Sequence, residues 1–153
     1  IMKLNNAGYL LICKFEGLSL TPYLCPAKIP TIGYGNCYYP NGKKVTMQDK
    51  AITKQEAFEL FKFIADKFAL KVSELIKSNV NQNQFNALVS FAYNIGVNGL
   101  AKSTLLKKVN FNPDDLTIKN EFLKWNKAGG KEIKGLTIRR EQESDLYYEK
   151  SNL

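Results

Sequence analysis

Glu16 is the residue in this sequence best placed to act as a general acid. It stands between Phe15 and Gly17, at the end of a predicted helix. An apolar neighbour favours the protonated form of a carboxyl group, and a glycine lets another molecule approach closely. A protonated acid in such a place can donate to the leaving oxygen of a glycosidic bond if a second group acts from the other side. Taken alone, however, a glutamate at a helix end is most often a solvated surface residue.

The chain contains no histidine. This excludes Ser-His-Asp and Cys-His nucleophilic centres, zincin-type metal sites and imidazole acid–base chemistry. Catalysis must therefore use carboxylates, thiols, hydroxyls or the side chains of lysine and arginine. The cysteines Cys13, Cys25 and Cys37 are an odd number at wide spacing, unlike a secreted disulfide framework or a Cys-x-x-Cys metal clip. We interpret them as reduced thiols made in a cytosol, and we predict neither a metal nor an organic cofactor.

The composition is that of a single globular domain over residues 1–153, with 44% hydrophobic and 24% charged residues. No apolar run reaches the roughly 18 residues of a spanning helix, and residues 1–12 do not resemble a signal peptide, so we predict no stable membrane insertion. The net charge of +8 implies attraction to a polyanion. Because the lysines are scattered, we interpret them as a solvated surface rather than a nucleic-acid groove.

Hydrophobic spacing predicts an α+β fold. Leu4, Ala7, Leu10, Leu11 and Phe15 recur with a helical period and predict a first helix that ends near residue 17. Residues 18–45, rich in proline and glycine, predict a small twisted antiparallel sheet with a tight turn at 41–42. The order of elements predicts a sheet-bearing lobe (about 14–52), a connecting helix (about 53–78) and a helical lobe (about 81–150) packed with the first helix. Clefts between lobes are preferred ligand sites.

Capping signals locate the remaining helices. Thr53 and Glu56 form a capping-box pattern before a long amphipathic run that predicts a helix of about seven turns. Asn81 and Gln84 repeat the pattern, so we expect a corner near residue 80 rather than a linker. Further helices are predicted over 81–96, 104–109, 112–125 and 136–148, with Gly96 and Gly99 ending the first of these and a turn-rich loop over 127–135.

Seven sequence motifs, in a fixed order along the chain, indicate a resemblance to a known protein family. The motifs are FEGL (15–18), TIGYG (31–35), NQNQFNAL (81–88), SFAYNIG (90–96), STLL (103–106), WNKAGG (125–130) and GLTIRREQE (135–143). Together they resemble the phage-type lysozymes, the endolysins of T4 and lambdoid phages. The resemblance runs from about residue 11 to residue 146, and it implies a lysozyme-like fold in which a long helix joins the two lobes.

The resemblance also implies a set of catalytic residues. The family places a Glu, then eight residues, an Asp or Cys, then five residues and a Thr, and this pattern falls on Glu16, Cys25 and Thr31. It implies that Glu16 donates the proton, while Cys25 and Thr31 flank the attacking water on the opposite side of the sugar ring.

Cys25 stands where aspartate is commoner in the family. An ordinary thiol has a pKa of about 8.5, so little of it is thiolate at neutral pH unless a positive neighbour such as Lys28 or Lys14 lowers that value. A thiolate could act as a base or as a nucleophile, so the sequence leaves both inversion and retention open. The alternative is that Cys25 is a small buried hydrophobic residue, which is our interpretation of Cys13.

Other residues receive roles through the resemblance alone. Tyr34, Cys37, Tyr93 and Ser103 are expected to face the sugar-binding cleft, and an arginine of the pair Arg139 and Arg140 is expected to approach the catalytic glutamate. The alternatives are an ordinary bent strand at 33–35, core packing for Cys37 and Tyr93, a helix cap for Ser103 and solvated charge for the two arginines. Asn36 stands where family members often have histidine.

The expected activity is therefore that of a muramidase: hydrolysis of the β-1,4 bond between N-acetylmuramic acid and N-acetylglucosamine in bacterial peptidoglycan. We expect a monomer that is made in the bacterial cytoplasm and reaches the wall after a separate protein has permeabilised the membrane. One alternative keeps the fold without the chemistry, as a peptidoglycan-binding protein. The other is a basic nucleic-acid-binding module, which only the net charge suggests and which we do not expect.

Overall fold

Helices dominate the computed structural model, which describes residues 1–150. Those residues form seven helices and two small antiparallel sheets, which confirms the predicted α+β class. The helices are α1 (Asn6–Phe15), α2 (Lys54–Leu75), α3 (Gln82–Ile95), α4 (Val97–Lys102), α5 (Thr104–Phe111), α6 (Ile118–Leu123) and α7 (Lys134–Tyr148). The strands are β1 (Ser19–Leu24), β2 (Pro30–Gly33), β3 (Lys127–Ala128) and β4 (Lys131–Glu132).

The chain divides into two compact units. The sheet unit is Ile12–Lys67, and the helical unit consists of Ile1–Leu11 and the described residues from Phe68 to 150. The lobe boundaries expected from the sequence stay a prediction.

In the sheet unit, β1 pairs antiparallel with β2. Tyr23 lies opposite Thr31, and an irregularity interrupts the register between Ser19 and Tyr23. The predicted tight turn at 41–42 is confirmed, because Gly42 has a φ of 87° and Tyr38 pairs with Lys44 across the turn. A positive φ is a conformation that glycine adopts without steric cost.

The first helix buries a different face from the one that the sequence predicted. Leu4, Gly8 and Ile12 are buried at intervals of four residues, whereas Leu10 is 54% exposed. The prediction overlooked Gly8, which has no hydrophobic side chain but can approach a neighbour closely. A Cβ atom placed on Gly8 would lie 2.6 Å from Oδ1 of Asn86 in α3, so the contact depends on the missing side chain.

The capping box before α2 is confirmed. The backbone N–H of Glu56 donates to Oγ1 of Thr53 at 3.0 Å, and the N–H of Thr53 donates to Oε1 of Glu56 at 3.2 Å. The helix has 22 residues, about six turns, and ends at Leu75 rather than near residue 78. One side of it is buried at regular intervals, at positions 57, 61, 65, 69 and 72.

The core of the helical unit is α3, which packs most extensively against α7. Every residue from Gln84 to Ala92 is buried. The predicted capping box at Asn81 and Gln84 is confirmed, with the Gln84 N–H donating to Oδ1 of Asn81 at 2.8 Å.

Two predictions in the helical unit are wrong, and a third needs refinement. Gly99 lies inside α4, a helix that the sequence did not predict, rather than ending the one before it. The helix expected over 112–125 begins only at Ile118, because the side chains of Asn112 and Asp115 accept hydrogen bonds from nearby backbone N–H groups and hold turns instead. The loop over 127–135 contains the hairpin of β3 and β4, and α7 begins at Lys134 rather than Leu136.

Candidate active site

Cys25 lies in a tight loop between β1 and β2. Its N–H donates to the carbonyl of Ile29 at 3.1 Å, and the N–H of Lys28 donates to the carbonyl of Cys25 at 2.7 Å. Residues 25–29 form this connection, in which the ring of Pro26 fixes the φ angle of that residue and Lys28 adopts the left-handed conformation with a φ of 63°. The loop therefore holds the half-buried side chain of Cys25 on a rigid turn.

The surroundings of Cys25 favour its thiolate. The pKa of this thiol lies below its ordinary value, chiefly because the backbone N–H of Ile29 donates to the sulfur. Partial burial opposes this effect, while the N–H of Ala27 and the hydroxyl of Thr31 add to it. The sequence pointed to Lys28 or Lys14 as the groups that would lower this pKa, but hydrogen-bond donors of the hairpin do so instead.

Thr31 is linked to both Cys25 and Cys37, to the first through its effect on the pKa and to the second by contact. Its side chain is 2% exposed, and its hydroxyl donates to the carbonyl of Ile29 at 2.9 Å. The same oxygen lies 3.7 Å from Sγ of Cys37. The hydroxyl also helps to lower the pKa of Cys25, so Thr31 contacts one cysteine and favours the thiolate of another.

Glu16 follows directly after the last residue of α1, as predicted. Its N–H donates to the carbonyl of Cys13 at 3.1 Å, and its side chain is half-buried. Burial, and secondly the negative charge of Glu16, raise the pKa of the Cys13 thiol to about 11. Cys13 therefore stays protonated at neutral pH, which separates it chemically from Cys25.

Tyr34 occupies the tip of a turn after β2. Gly33 and Gly35 on either side have φ values of 70° and 92°, so this segment is a tight turn rather than a plain bent strand. The Tyr34 ring packs edge-on against Phe61 with the centroids 5.8 Å apart. Its pKa is raised, mainly by burial and to a lesser extent by Cys13, so its hydroxyl stays protonated.

Asn36, at the position where the family often has histidine, is 5% exposed. Its side-chain amide donates to the carbonyl of Leu60 at 3.1 Å, which ties the turn to α2. Its Oδ1 is buried and accepts no hydrogen bond from the described residues.

Two residues expected at the sugar-binding cleft lie in the helical unit. The Tyr93 ring packs against Phe68 with the centroids 4.9 Å apart. Ser103 caps α5: its hydroxyl accepts from the N–H of Leu106 at 3.0 Å and donates to the carbonyl of Leu100 at 2.7 Å. The helix-cap alternative for Ser103 is therefore observed, and sugar binding by both residues stays a prediction.

The arginine pair is buried, so the interpretation of both arginines as solvated surface charge is wrong. Arg139 and Arg140 are 4% and 0% exposed, and both lie against Glu143 one turn further along α7. Nε of Arg140 is 2.8 Å from Oε1 of Glu143 but is not aimed at it, so this contact is ionic rather than a hydrogen bond. The predicted approach of an arginine to Glu16 stays a prediction.

Glu143 is a structural partner that the sequence analysis did not identify. It also accepts a hydrogen bond from Ser90 in α3 at 2.5 Å, and Asn94 accepts one from Arg140 at 2.9 Å. Burial raises the pKa of Glu143, and the two guanidinium charges oppose that effect. The spacing of an arginine three or four residues before a glutamate on one helix is the signal that could have identified the cluster.

Within residues 1–150, no three side chains of the Cys, Asp and Glu types come together as potential metal ligands. Over the same range, each helix lacks either the length or the apolar character that crossing a bilayer demands.

The proteins that this chain resembles in sequence and in structure include phage lysozymes and endolysins. The family model for phage lysozyme matches residues 13–143. The endolysin of Bacillus phage B103 is 43% identical over 148 residues, which are 95% of this chain and 54% of that protein. The chain thus spans about half the length of the endolysins of Bacillus phages B103 and PZA.

Solved structures agree over nearly the whole chain. The endolysin of Escherichia coli phage FAHEc1 is 37% identical, with a TM-score of 0.84 and coverage of 96% of this chain and 94% of that one. A mutant of P22 lysozyme is 31% identical, with a TM-score of 0.87 and coverage of 97% and 100%. On the extent of the family match and these identities, the chain belongs to the phage lysozyme family.

Proposed function

We propose that this chain is a muramidase that hydrolyses the β-1,4 bonds between N-acetylmuramic acid and N-acetylglucosamine in peptidoglycan, and so lyses bacterial cells. Membership of the phage lysozyme family supports the reaction class. The observation that carries the assignment of residues is the hairpin that joins Cys25, Thr31 and a set of hydrogen-bond donors which favour the thiolate. A base or nucleophile must be in its anionic form to act, and this environment promotes that form.

In the proposed mechanism, Glu16 donates its proton to the oxygen of the leaving sugar. Its position at the end of α1, next to Gly17, leaves room for a bulky substrate, since a Cβ on Gly17 would meet no atom within 4 Å. Cleavage of the glycosidic bond develops positive charge on the anomeric carbon, and a thiolate on the other side of the sugar ring stabilises that charge.

Cys25 and Thr31 then act on the water molecule that completes hydrolysis, and two routes are open to them. If the thiolate accepts a proton from water, the product has inverted configuration at the anomeric carbon. If the sulfur attacks that carbon first, a thioglycosyl intermediate forms and water releases the sugar with retained configuration. The anomer formed first, followed by proton NMR with a soluble glycan fragment, distinguishes these two routes.

The test of the proposed function is the release of reducing ends from purified peptidoglycan. We expect Glu16→Gln to lower the rate at least about 100-fold, because proton donation typically contributes that much, while binding to sacculi persists. Glu59→Gln, at an exposed position on α2, is the matched control and should behave as wild type. Undiminished lysis by Glu16→Gln would overturn the assignment of the acid. Binding to sacculi without any release of reducing ends would favour a non-catalytic peptidoglycan-binding protein.

Tyr34, Cys37, Tyr93 and Ser103 are proposed substrate contacts, and Arg139 and Arg140 proposed supporting residues. We also propose that the chain acts as a monomer on the cell wall, independently of nucleic acid and any cofactor. The three unbridged thiols suit synthesis in a reducing cytoplasm, with release by a separate permeabilising protein. Sedimentation analysis tests the oligomeric state, and lysis of intact cells with and without a permeabilising agent tests the route to the wall.

A further inference from the structure

The hydroxyl group of Thr31 has one proton and several neighbours that can accept it. Its oxygen lies 2.9 Å from the carbonyl oxygen of Ile29 and 3.7 Å from Sγ of Cys37. A carbonyl oxygen can only accept, so the Thr31 proton is used when it points to Ile29. In that arrangement Cys37 must be the donor in its contact with Thr31.

Ionisation of Cys25 changes the competition for this proton. A thiolate is a stronger acceptor than a carbonyl, and the Thr31 hydroxyl is among the groups that stabilise it. When the proton turns toward the sulfur of Cys25, the Thr31 oxygen faces the Ile29 carbonyl oxygen without a proton between them. A second donor to the Thr31 oxygen compensates for that loss, and the S–H group of Cys37 is in position to provide it.

We propose that Cys37 is a positioning residue whose S–H group donates to Thr31, so that the Thr31 hydroxyl can donate to the Cys25 thiolate. Hydrogen bonds in a chain polarise one another, so a donor behind Thr31 strengthens the bond in front of it. The inference rests on the proposed function, in which Cys25 acts as a thiolate. It gives Cys37 a role different from the sugar contact that the family resemblance implies.

No charged group is among those that shift the pKa of Cys25, so the effect of a single hydrogen bond on that pKa is not masked by a larger one. The groups that shift the pKa of Cys25 are its own partial burial and hydrogen-bond donors within residues 25–31, and none of them is charged. Lys28 is the charged residue of the same loop, and it is exposed. The charge of Glu16 acts instead on Cys13. A change in one hydrogen bond should therefore be measurable against this background.

The experiment measures the rate at which iodoacetamide alkylates Cys25 as a function of pH. Trypsin cleaves after Lys14, Lys28 and Lys43, so the three cysteines lie in three different peptides and mass spectrometry follows each one separately. The variants are Cys37→Ala and Cys37→Val, which have no donor, and Cys37→Ser, which restores one. Cys13→Ala is the matched control, since it removes a thiol that does not contact Thr31.

We expect Cys25 to react about two- to threefold more slowly at pH 7 in the Ala and Val variants, as the loss of one weak hydrogen bond implies. The midpoint of the pH profile should rise in these variants, and the rates should converge with wild type once the thiol is fully ionised. Cys37→Ser should restore the wild-type profile. Equal rates at pH 7 in all variants would overturn the proposal, and so would a rate that differs by the same factor at every pH, because that pattern reports altered access to the sulfur.

Hydrolysis gives a second readout. With kcat and apparent KM measured on solubilised glycan strands, a positioning role lowers kcat at neutral pH and leaves KM unchanged, whereas loss of a sugar contact raises KM. Alkylation needs no turnover, so the proposal about Cys37 can fail while Glu16→Gln still abolishes hydrolysis. Conversely, the wild-type protein could fail to hydrolyse peptidoglycan while the Cys37 variants still change the alkylation of Cys25 as expected. That result would reject the proposed function and leave the role of Cys37 intact.

Discussion

Gly8 is in such close contact with Asn86 that no residue with a side chain fits at position 8 without displacing its neighbours. A Cβ on Gly8 would lie 2.6 Å from Oδ1 of Asn86 and 2.7 Å from Cδ2 of Leu4. Asn86 is fully buried and cannot easily move, because it donates to the side chain of Asn5 at 2.7 Å and accepts from that of Gln82 at 2.9 Å. This polar cluster fastens the first turns of α1 to α3.

Gly8→Ala should therefore destabilise the protein by about 1–3 kcal/mol, the usual cost of forcing an extra methyl group into a packed interior. Urea denaturation followed by circular dichroism measures the change. Gly135→Ala is the control: its Cβ would meet no atom within 4 Å, and alanine favours a helix by up to about 1 kcal/mol relative to glycine. Equal stabilities of Gly8→Ala and wild type would show that α1 can move away from α3 at little cost.

The cluster of Arg139, Arg140 and Glu143 predicts a large effect of removing one charge. Glu143→Gln leaves two buried guanidinium groups without their carboxylate, so we expect a loss of about 3–5 kcal/mol in the free energy of unfolding. Glu141→Gln, exposed on the same helix, should change stability by less than about 0.5 kcal/mol. The prediction fails if the two variants unfold at the same urea concentration.

Glu121 predicts a stability effect that depends on pH. Its side chain is 6% exposed and contacts Nζ of Lys108 at 2.8 Å and Nζ of Lys124 at 3.0 Å. The hydrogen bond from Lys108, followed by that from Lys124, lowers the pKa of Glu121 despite its burial. A carboxyl group with a lowered pKa in the folded state stabilises the protein above its ordinary pKa, and this contribution is lost as the pH falls through the folded value.

Lys108→Met should therefore cost about 1–3 kcal/mol at pH 6, because a buried carboxylate loses one of its two cations. The difference from wild type should shrink at pH 3, as Glu121 becomes protonated. Lys62→Met breaks a comparable ion pair with Glu59, which is 54% exposed, and should have little effect at either pH. A gap between Lys108→Met and wild type that stays constant from pH 6 to pH 3 would show that the charge of Glu121 is unimportant.

Cys25 predicts a shift in the pH profile of hydrolysis. If its thiolate is the active form, the active fraction of Cys25 rises with pH through the thiol pKa, which lies below its ordinary value. Aspartate ionises near pH 3.9, so in Cys25→Asp the anionic form is already present at lower pH. The ratio of the activity of Cys25→Asp to that of wild type should therefore be higher at pH 5 than at pH 8. Cys25→Ala should lose about 100-fold or more at every pH. An alanine variant as active as wild type would eliminate any chemical role for the thiol.

The sequence predicted most accurately those elements whose signals are local. The capping boxes at Thr53 and Asn81 identified the starts of α2 and α3, because each depends on two side chains three residues apart. Asn41 and Gly42 located a turn for the same reason. By contrast, the helix expected after Asn112 was wrong, because the same side chains that cap helices can also hold a turn, and only the surrounding structure decides between them.

The candidate site also contains features that the sequence could predict and features that it could not. The sequence motif predicts Glu16, Cys25 and Thr31 as a set, which stays a prediction, and the helix end at Glu16 follows from hydrophobic spacing. The donors that favour the Cys25 thiolate were not predictable, because Ile29 and Ala27 act through their backbone, which carries no side-chain signal. The sequence left the alternative of solvated charge open for Arg139, because its burial depends on Ser90 and Glu143, which lie 49 positions earlier and 4 positions later in the chain.

The hairpin of β3 and β4 has a stereochemical consequence. Its two connecting residues, Gly129 and Gly130, both adopt positive φ values, 58° and 79°, and both are exposed. These angles are strained for an L-amino acid but natural for its mirror image. In a chain assembled by chemical ligation, D-alanine at either position would suit the turn better than L-alanine. It would also protect the adjoining peptide bonds from proteases that require L-residues on both sides of the bond.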